Sequence, residues 1–246
     1  MYQERAGRLP GAVVWRRGGP PTAGELPLVL PDGCMDLLWT DGRLLIAGPD
    51  TRAFRPGPAD GAGGPDRFAG VRFPPGTAPA LLGIPAHELR DRRVELTELL
   101  PAAEARRLTA GIDAAADTPT APTARAAAAL EHLALQWAAA TDPPRPVLGQ
   151  IVRMLDEGRS VTDTAHTLGL GTRRLHRHSL AAFGYGPKTL ARILRLQRAL
   201  THLRNGTPPA TTATRTGYAD QAHLTRELRT LTGLTPAQLR PPHDHP

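Results

Sequence analysis

Apolar and polar residues follow two different periods along the chain, and the change falls between residues 73 and 85. Up to residue 73, short apolar or alternating runs are separated by glycine and proline, as is typical of strands joined by turns. The runs are GAVVW (11–15), LPLVL (26–30), MDLLW (35–39), RLLIA (43–47) and GVRF (70–73). Because no helical pattern alternates with them, they predict a small antiparallel barrel or sandwich. The Gly- and Pro-rich segment 55–65 is predicted to be a loop.

From Pro85 onward, the apolar spacing is that of helices. The predicted helices cover residues 85–100, as two short helices, then 101–109 and 123–140. In the last of these, Leu130, Leu133 and Trp137 lie on one side, which predicts packing in a core, with a dimer seam as the alternative. The prolines of TDPPRP (141–146) forbid continuation of a helix, so this segment is predicted to be an interdomain linker.

Residues 147–240 predict short helices with clear start and stop signals. Ser160 followed by Asp163 is typical of a capping box. A helix is predicted from Pro187 to about Arg204. Further signals are Asn205–Gly206 and Gly233 as stops, Asp220 as an N-cap, and Thr235–Pro236 as a start.

A helix–turn–helix pattern occurs twice in this region. The first copy pairs VTDTAHTLGL (161–170) with TRRLHRHSLAAF (172–183), and the second pairs TTATRTG (211–217) with DQAHLTRELRTL (220–231). In such units the second helix enters the DNA major groove. A connecting helix over residues 190–204, about 22 Å long, could set the two reading helices about one DNA turn apart, ~34 Å.

The two predicted reading helices combine an apolar stripe with a polar face. Leucines recur at helical spacing and are predicted to face a core; they are Leu175 in the first helix and Leu224, Leu228 and Leu231 in the second. The polar side chains are Arg173, His176 and Arg177 in the first helix, and Gln221, Thr225 and Arg226 in the second, with His223 on their flank. Amide, methyl-bearing hydroxyl and guanidinium groups suit adenine, thymine and guanine edges in the major groove. The alternative for each helix alone is an ordinary basic surface helix.

The charge distribution favours an anionic partner for the C-terminal part. Residues 141–246 hold 15 basic and 7 acidic residues, whereas residues 1–140 hold 15 basic and 16 acidic residues. Nucleic acid is therefore the first candidate partner. For Arg192, Arg195 and Arg198 of the connecting helix, phosphate contact and simple solvation both remain open.

Residues 161–240 resemble the DNA-binding domain of the AraC/XylS family of transcription regulators. The match is best in GYADQAHLTRELRTLTGLTPAQLR (217–240), which carries the closing G-x-[ST]-P-x-x-[LY]-R signature, and extends over residues 168–200. The resemblance implies base contacts by Arg173, His176, Arg177, Gln221, Ala222, His223 and Arg226. The chain departs from the family pattern at Ser179 and Leu228, where phenylalanine is usual, and in the weakly apolar TTATRTG.

The N-terminal region resembles the sensor-like domain of some actinobacterial regulators, through PDGCMDLLW (31–39), IAGPDT (46–51) and residues 70–96. The expected architecture is thus α+β, with a small β-barrel or sandwich plus helices over 1–140 and a linker over 141–146. An all-α domain of two helix-turn-helix units joined by a long helix would cover 147–240, followed by a tail at 241–246.

Other chemistry receives little support from the sequence. We find no nucleophile elbow, phosphate-cradling glycine loop or metal triad, so we expect no cofactor, no metal and no enzyme activity. Cys34 is predicted to be a small core residue rather than a redox sensor, and Asp36 and Arg72 could line a pocket or form a structural ion pair. No apolar run approaches ~20 residues and no signal peptide is recognisable, which favours the cytoplasm.

The expected function is sequence-specific binding of double-stranded DNA, with a sequence-indifferent nucleic-acid binder as the alternative. A small-molecule effector, a second copy of the chain and RNA polymerase are further candidate partners that the sequence leaves open.

Overall fold

The computed structural model of this 246-residue chain describes residues 2–19, 28–40, 42–55, 67–118 and 120–239. The predicted loop at 55–65 lies outside the described residues except for Arg55, and the tail at 241–246 lies outside them entirely.

One antiparallel sheet forms the N-terminal part of the structure. Its six strands are β1 (Tyr2–Ala6), β2 (Val13–Gly18), β3 (Met35–Thr40), β4 (Arg43–Ala47), β5 (Arg67–Phe73) and β6 (Arg93–Glu95). They lie in the order β1-β2-β5-β3-β4-β6, so β5 and β3 are central and β1 and β6 are the edges. The run at 26–30 was predicted as a strand, but its described residues form only an isolated bridge between Val29 and Phe54.

Twelve helices follow or interrupt the sheet within the described residues. They are α1 (Thr77–Leu82), α2 (Ala86–Leu89), α3 (Leu96–Leu99), α4 (Ala102–Ala116), α5 (Pro122–Ala140), α6 (Pro146–Asp156), α7 (Val161–Thr167), α8 (Thr172–Phe183), α9 (Pro187–Arg204), α10 (Pro209–Thr216), α11 (Gln221–Thr232) and α12 (Pro236–Leu239). Strand β6 separates the two short helices predicted over 85–100. No helix in the described ranges has the length and apolar character needed to cross a membrane.

The N-terminal core lies between the sheet and the helix pair α4–α5. Trp39 and Phe73, from the central strands, are almost fully buried there. Helix α5 packs against β5 and β2, and its Leu130 and Leu133 are buried in the same core, with Trp137 partly buried against it. The prediction that this helix packs in a core is therefore confirmed.

Helix α9 joins two separate cores in the C-terminal part. Its first half contributes Leu190 and Ile193 to a core with α6, α7 and α8, and its second half contributes Leu196, Leu200 and Leu203 to a core with α10 and α11. The connecting helix thus packs against both units, and it begins at Pro187 as expected.

The N-terminal part contacts both units of the C-terminal part, along a surface that we call the interdomain seam. Helices α1 and α2 pack against α8, and Leu30 packs against the second C-terminal core. Among the described residues, three hydrogen bonds cross the seam: Arg90 Nη1 to the Gly184 carbonyl at 3.3 Å, Gln197 Nε2 to the Pro31 carbonyl at 2.5 Å, and the Ala53 N–H to the Leu231 carbonyl at 2.7 Å. Because these contacts reach α8, α9 and α11, the seam relates the N-terminal part to both units at once.

Candidate nucleic-acid interface

The first unit consists of α7 and α8. Ser160 caps α7, and its Oγ accepts a hydrogen bond from the Asp163 N–H at 3.0 Å. The predicted capping box is only half formed, because the Asp163 carboxylate binds the Ser160 hydroxyl, at 2.7 Å, and not its backbone N–H. Helix α7 ends at Thr167, three residues before the predicted end.

Helix α8 buries one side and exposes the predicted reading residues on the other. Leu175 is fully buried, whereas Arg173, His176 and Arg177 are exposed on adjacent turns. The His176 imidazole also approaches the start of α9, since a Cβ atom added to Gly186 would lie 3.0 Å from its Nε2. These three residues are thus brought together at the N-terminal half of α8, clear of the seam at its C-terminal end.

The electrostatic environment of α8 is strongly positive. The helix contains no acidic residue, and none of its arginines has an acidic partner among the described residues. Burial lowers the pKa of His178, and the nearby guanidinium groups of Arg174, Arg145 and Arg177 lower it further. A surface with this concentration of unneutralised guanidinium groups favours an anionic ligand.

The second unit consists of α10 and α11. Asp220 caps α11 as predicted, with a carboxylate oxygen 2.6 Å from the His223 backbone N–H. Leu224, Leu228 and Leu231 are buried, which confirms the predicted apolar stripe. The helix ends at Gly233, whose φ of +72° is the left-handed cap predicted there.

The predicted reading residues of α11 lie on the side away from these leucines. Gln221, Ala222 and Arg226 are exposed, and His223 and Thr225 are half-buried. The Thr225 hydroxyl donates to the Gln221 carbonyl at 2.9 Å within the helix. Its hydrogen is therefore already used, and the methyl group and the oxygen lone pairs remain for a base.

Threonines form much of the buried side of α10, where the family pattern is more apolar. Thr212, Ala213 and Thr216 are buried, and the Thr216 hydroxyl donates to the Thr212 carbonyl at 2.6 Å. The Thr212 hydroxyl makes a longer bond, of 3.4 Å, to the Thr207 carbonyl. Because both hydroxyls are satisfied by backbone carbonyls, the helix packs on α9 without an unpaired polar group at these two positions.

Three of the four arginines of the connecting helix α9 contact carboxylates. Arg192 forms a two-point ion pair with Glu227 of α11, with Nε–Oε1 and Nη2–Oε2 distances of 2.7 and 3.1 Å. Arg195 Nη2 lies 3.8 Å from the same carboxylate, and Arg198 Nη1 lies 2.9 Å from an Asp156 oxygen. These side chains thus form ion pairs within the C-terminal part, and phosphate contact stays a prediction.

Sequence reasoning missed Glu227, which is the single acidic residue of α11. The hydrogen bond from Arg192 lowers the pKa of Glu227, so the carboxylate stays ionised near neutral pH. One acid placed in an otherwise basic helix was the available signal, but its partner Arg192 lies 35 residues earlier in the chain.

In the N-terminal part, the contacts of the Asp36 carboxylate and the Cys34 thiol indicate a structural role for both groups. Arg72 Nε lies 3.3 Å from Asp32 and 3.5 Å from Asp36, and Asp36 also accepts a hydrogen bond from Trp15 Nε1 at 2.6 Å. Of the two interpretations left open, the ion pair is present. Burial, with the nearby Asp32 and Asp36, raises the pKa of the Cys34 thiol well above its usual value, which disfavours a reactive thiolate.

A cleft of about 350 Å³ lies at one end of the sheet, lined by Trp39, Arg67, Asp113 and Thr118 among others. Trp39 Nε1 donates to Asp113 Oδ1 at 2.6 Å across its wall. Within the described residues, no group of three or more His, Cys, Asp or Glu side chains is arranged to hold a metal ion.

Two family profiles match separate parts of the chain. Residues 164–241 match a helix-turn-helix domain of the AraC type, and residues 13–95 match a domain of unknown function (DUF6597). Residues 164–241 thus carry an AraC-type helix-turn-helix domain. No curated protein sequence matches this chain.

Solved structures of ToxT from Vibrio cholerae resemble this chain in fold. An apo form of ToxT is 9% identical, with 95% of this chain and 98% of that chain covered and a TM-score of 0.50. Another ToxT structure is 8% identical, with 96% of each chain covered and a TM-score of 0.46. A ToxT structure with a bound unsaturated fatty acid is 9% identical, covers 86% of this chain and 84% of that chain, and has a TM-score of 0.44.

Together, the profile match and the fold identify a DNA-binding transcription regulator with an N-terminal antiparallel sheet and a helical C-terminal part. The predicted α+β architecture is therefore confirmed.

Proposed function

We propose that this regulator binds double-stranded DNA sequence-specifically, by inserting α8 and α11 into successive major grooves. One observation carries the proposal: both helices bury a leucine side in a core and leave cationic and amide side chains exposed on the other. The buried leucines hold each helix in place, so the exposed groups are presented on a rigid support.

The chemistry of the exposed groups supports reading of bases. Arg173, Arg177 and Arg226 can each donate two hydrogen bonds to guanine, and Gln221 can bind adenine through its amide. Ala222 and the Thr225 methyl group offer apolar contact to a thymine methyl. A binder of phosphates alone would need none of this variety, because charge suffices for phosphate contact.

The length of α9 supports the use of neighbouring grooves. The helix has 18 residues and is thus about 27 Å long. Since α8 and α11 pack at opposite halves of α9, a spacing close to one DNA turn, ~34 Å, is within reach of the arrangement.

Selection of bound duplexes from a random DNA pool, with the full chain, tests this function. We expect enrichment of a motif with two boxes about one helical turn, ~10 base pairs, apart. A sequence-indifferent binder would enrich nothing, and its affinity would fall equally for all duplexes as the salt concentration rises. That outcome would replace our proposal by the alternative.

Substitution of Arg226 tests the assignment of the reading side. Arg226→Ala is expected to weaken binding to the selected duplex by about 1–3 kcal/mol and to relax the preference at one base position. Arg107→Ala, on the exposed side of α4, removes the same charge far from α11 and serves as the matched control. If Arg226→Ala leaves the base preference unchanged, α11 is oriented differently from our proposal.

We further propose that signals reach the DNA-binding units through the interdomain seam. The support is its hydrogen bonds to Gly184 at the end of α8 and to Leu231 near the end of α11. A change in the shape of the N-terminal domain would therefore act directly on both reading helices.

A further inference from the structure

A continuous set of side-chain contacts runs from the connecting helix to the reading side of α11. It begins with Arg192 and Arg195 on α9, which both face the Glu227 carboxylate. The Glu227 side chain is 12% exposed, so this carboxylate is held inside the unit and is not free to contact DNA. The arrangement neutralises a nearly buried charge with two guanidinium groups.

The same arginine then holds an aromatic ring. The Arg195 guanidinium carbon lies 4.4 Å from the centroid of the Tyr218 ring, and Arg195 Nη1 donates to the Gly217 carbonyl at 3.3 Å. Tyr218 is 4% exposed and occupies the turn between α10 and α11. Glu227 thus fixes Arg195 from one side while Tyr218 and Gly217 fix it from the other.

The set of contacts ends at His223. The Tyr218 and His223 rings meet edge to face, with centroids 5.2 Å apart. The Ala219 backbone N–H donates to His223 Nδ1 in a long bond of 3.4 Å. Because Nδ1 is the acceptor, the neutral imidazole carries its proton on Nε2, and Nε2–H is the donor left for a base acceptor.

We propose that Glu227 and Arg195 are positioning residues that determine base specificity at the DNA box read by α11. They do so by fixing the Tyr218 ring and, through it, the His223 imidazole. This inference rests on the proposed function, since it concerns how α11 reads bases. Neither residue needs to touch DNA for the effect. A merely structural ion pair between α9 and α11 would stabilise the unit but would not select the base that His223 meets.

The test measures affinity and base discrimination separately, with the full chain. Binding is measured by fluorescence anisotropy to the selected duplex and to duplexes substituted one base at a time. The variants are His223→Ala, Glu227→Gln, Arg195→Lys and their double mutants with His223→Ala. Glu157→Gln is the matched control, because Glu157 is an exposed acid of the same domain that contacts Arg159 at 3.5 Å.

His223→Ala is expected to lose discrimination at one base position, by about three- to tenfold for a single neutral hydrogen bond. Glu227→Gln should lose discrimination at that same position by a similar factor, although its removal of a negative charge raises affinity for all duplexes. Arg195→Lys keeps the charge and loses the planar contact with Tyr218, so it should behave in the same way. Because the effects share one route, adding either substitution to His223→Ala should cause no further loss at that position.

Two results would overturn the inference. Glu227→Gln could change affinity equally for every duplex, as Glu157→Gln is expected to do, and so leave every base preference intact. His223→Ala could also leave every position unaffected. If the unsubstituted chain shows no preferred sequence at all, the proposed function itself fails, and this is seen before any variant is compared. Equal far-UV circular dichroism and melting temperature among the variants show that each one is folded.

Discussion

Gly184 is the position at which the interdomain seam should be most sensitive to a single methyl group. The residue ends α8 with φ of +82°, and a Cβ atom built on it would lie 2.5 Å from Pro49 Cγ and 3.2 Å from the Ala86 carbonyl oxygen. Gly184→Ala therefore forces an L side chain into the left-handed region and, in addition, pushes it into the N-terminal domain. We expect this variant to weaken the seam.

Gly233 provides the matched control, because it ends α11 in the same way with φ of +72° and a Cβ atom there would meet nothing within 4 Å. The left-handed conformation costs an alanine about 1–2 kcal/mol at either position. Overpacking against a close-packed neighbour adds about 1–3 kcal/mol at Gly184 alone. The expected loss of unfolding free energy is thus about 2–5 kcal/mol for Gly184→Ala and about 1–2 kcal/mol for Gly233→Ala.

Urea denaturation of the full chain, followed by two probes, measures this difference. All three tryptophans, Trp15, Trp39 and Trp137, lie in the N-terminal part of the structure, so their fluorescence reports on that part, whereas circular dichroism at 222 nm reports mainly on the helices. Gly184→Ala should separate the two transitions, and adding Pro49→Ala should recover part of the loss. Equal free energies for the Gly184 and Gly233 variants, with no effect of Pro49→Ala, would refute the close contact across the seam.

Three further predictions concern single buried or capping groups. Ser179 is fully buried and its hydroxyl has no protein partner among the described residues, so Ser179→Ala should raise the unfolding free energy by about 1 kcal/mol; a lower urea midpoint would contradict this. The hydrogen bond from Arg5 lowers the pKa of the buried Glu131 below its ordinary value of 4.5, so this carboxylate stabilises the fold fully above pH 4.5 and loses that effect as the pH falls through the lowered pKa. Glu131→Gln should therefore melt well below the unsubstituted chain at pH 7, with a gap that narrows in acid, and a constant gap would argue against the ion pair. Asp220→Ala removes the cap of α11 and should cost about 1 kcal/mol of stability, together with affinity for the second DNA box; unchanged melting would show that the cap contributes nothing.

Local signals explain why the C-terminal helices were predictable. The N-caps Ser160 and Asp220 and the stop at Gly233 act within one helical turn, so the sequence carries them directly. The leucine stripe of α11 is equally local, since its period alone distinguishes the buried side from the exposed one.

The elements that were missed depend on partners elsewhere. Strand β1 is mostly polar and its residues are exposed, and it is a strand because its backbone pairs with β2, with Tyr2 opposite Arg17. Strand β6 has three residues, too few for any period to appear. Residues 28–30 resemble a strand in composition, but Leu30 is used to cover the second C-terminal core at the seam.

The candidate site divides in the same way between local and distant causes. Exposure of Arg173, Arg177 and Arg226 follows from helical spacing, so it was predictable. The neutralisation of Arg192 by Glu227 was not, because it depends on how α11 is rotated against α9. Rotation between packed helices is decided by the fit of many side chains and leaves no periodic signal in the sequence.

Because α9 belongs to both C-terminal cores, its length sets the distance and the relative orientation of the two helix-turn-helix units. One residue inserted in its middle would turn the second unit by about 100° and move it by about 1.5 Å, so that α11 would leave the groove. Seven inserted residues, nearly two full turns, would restore its direction to within about 20° and lengthen the span by about 10.5 Å, the length of about three base pairs. Because three base pairs also rotate the groove by about 100° around the duplex axis, neither insertion keeps both helices in grooves one turn apart, and we expect relatives of this chain to keep the length of this connector.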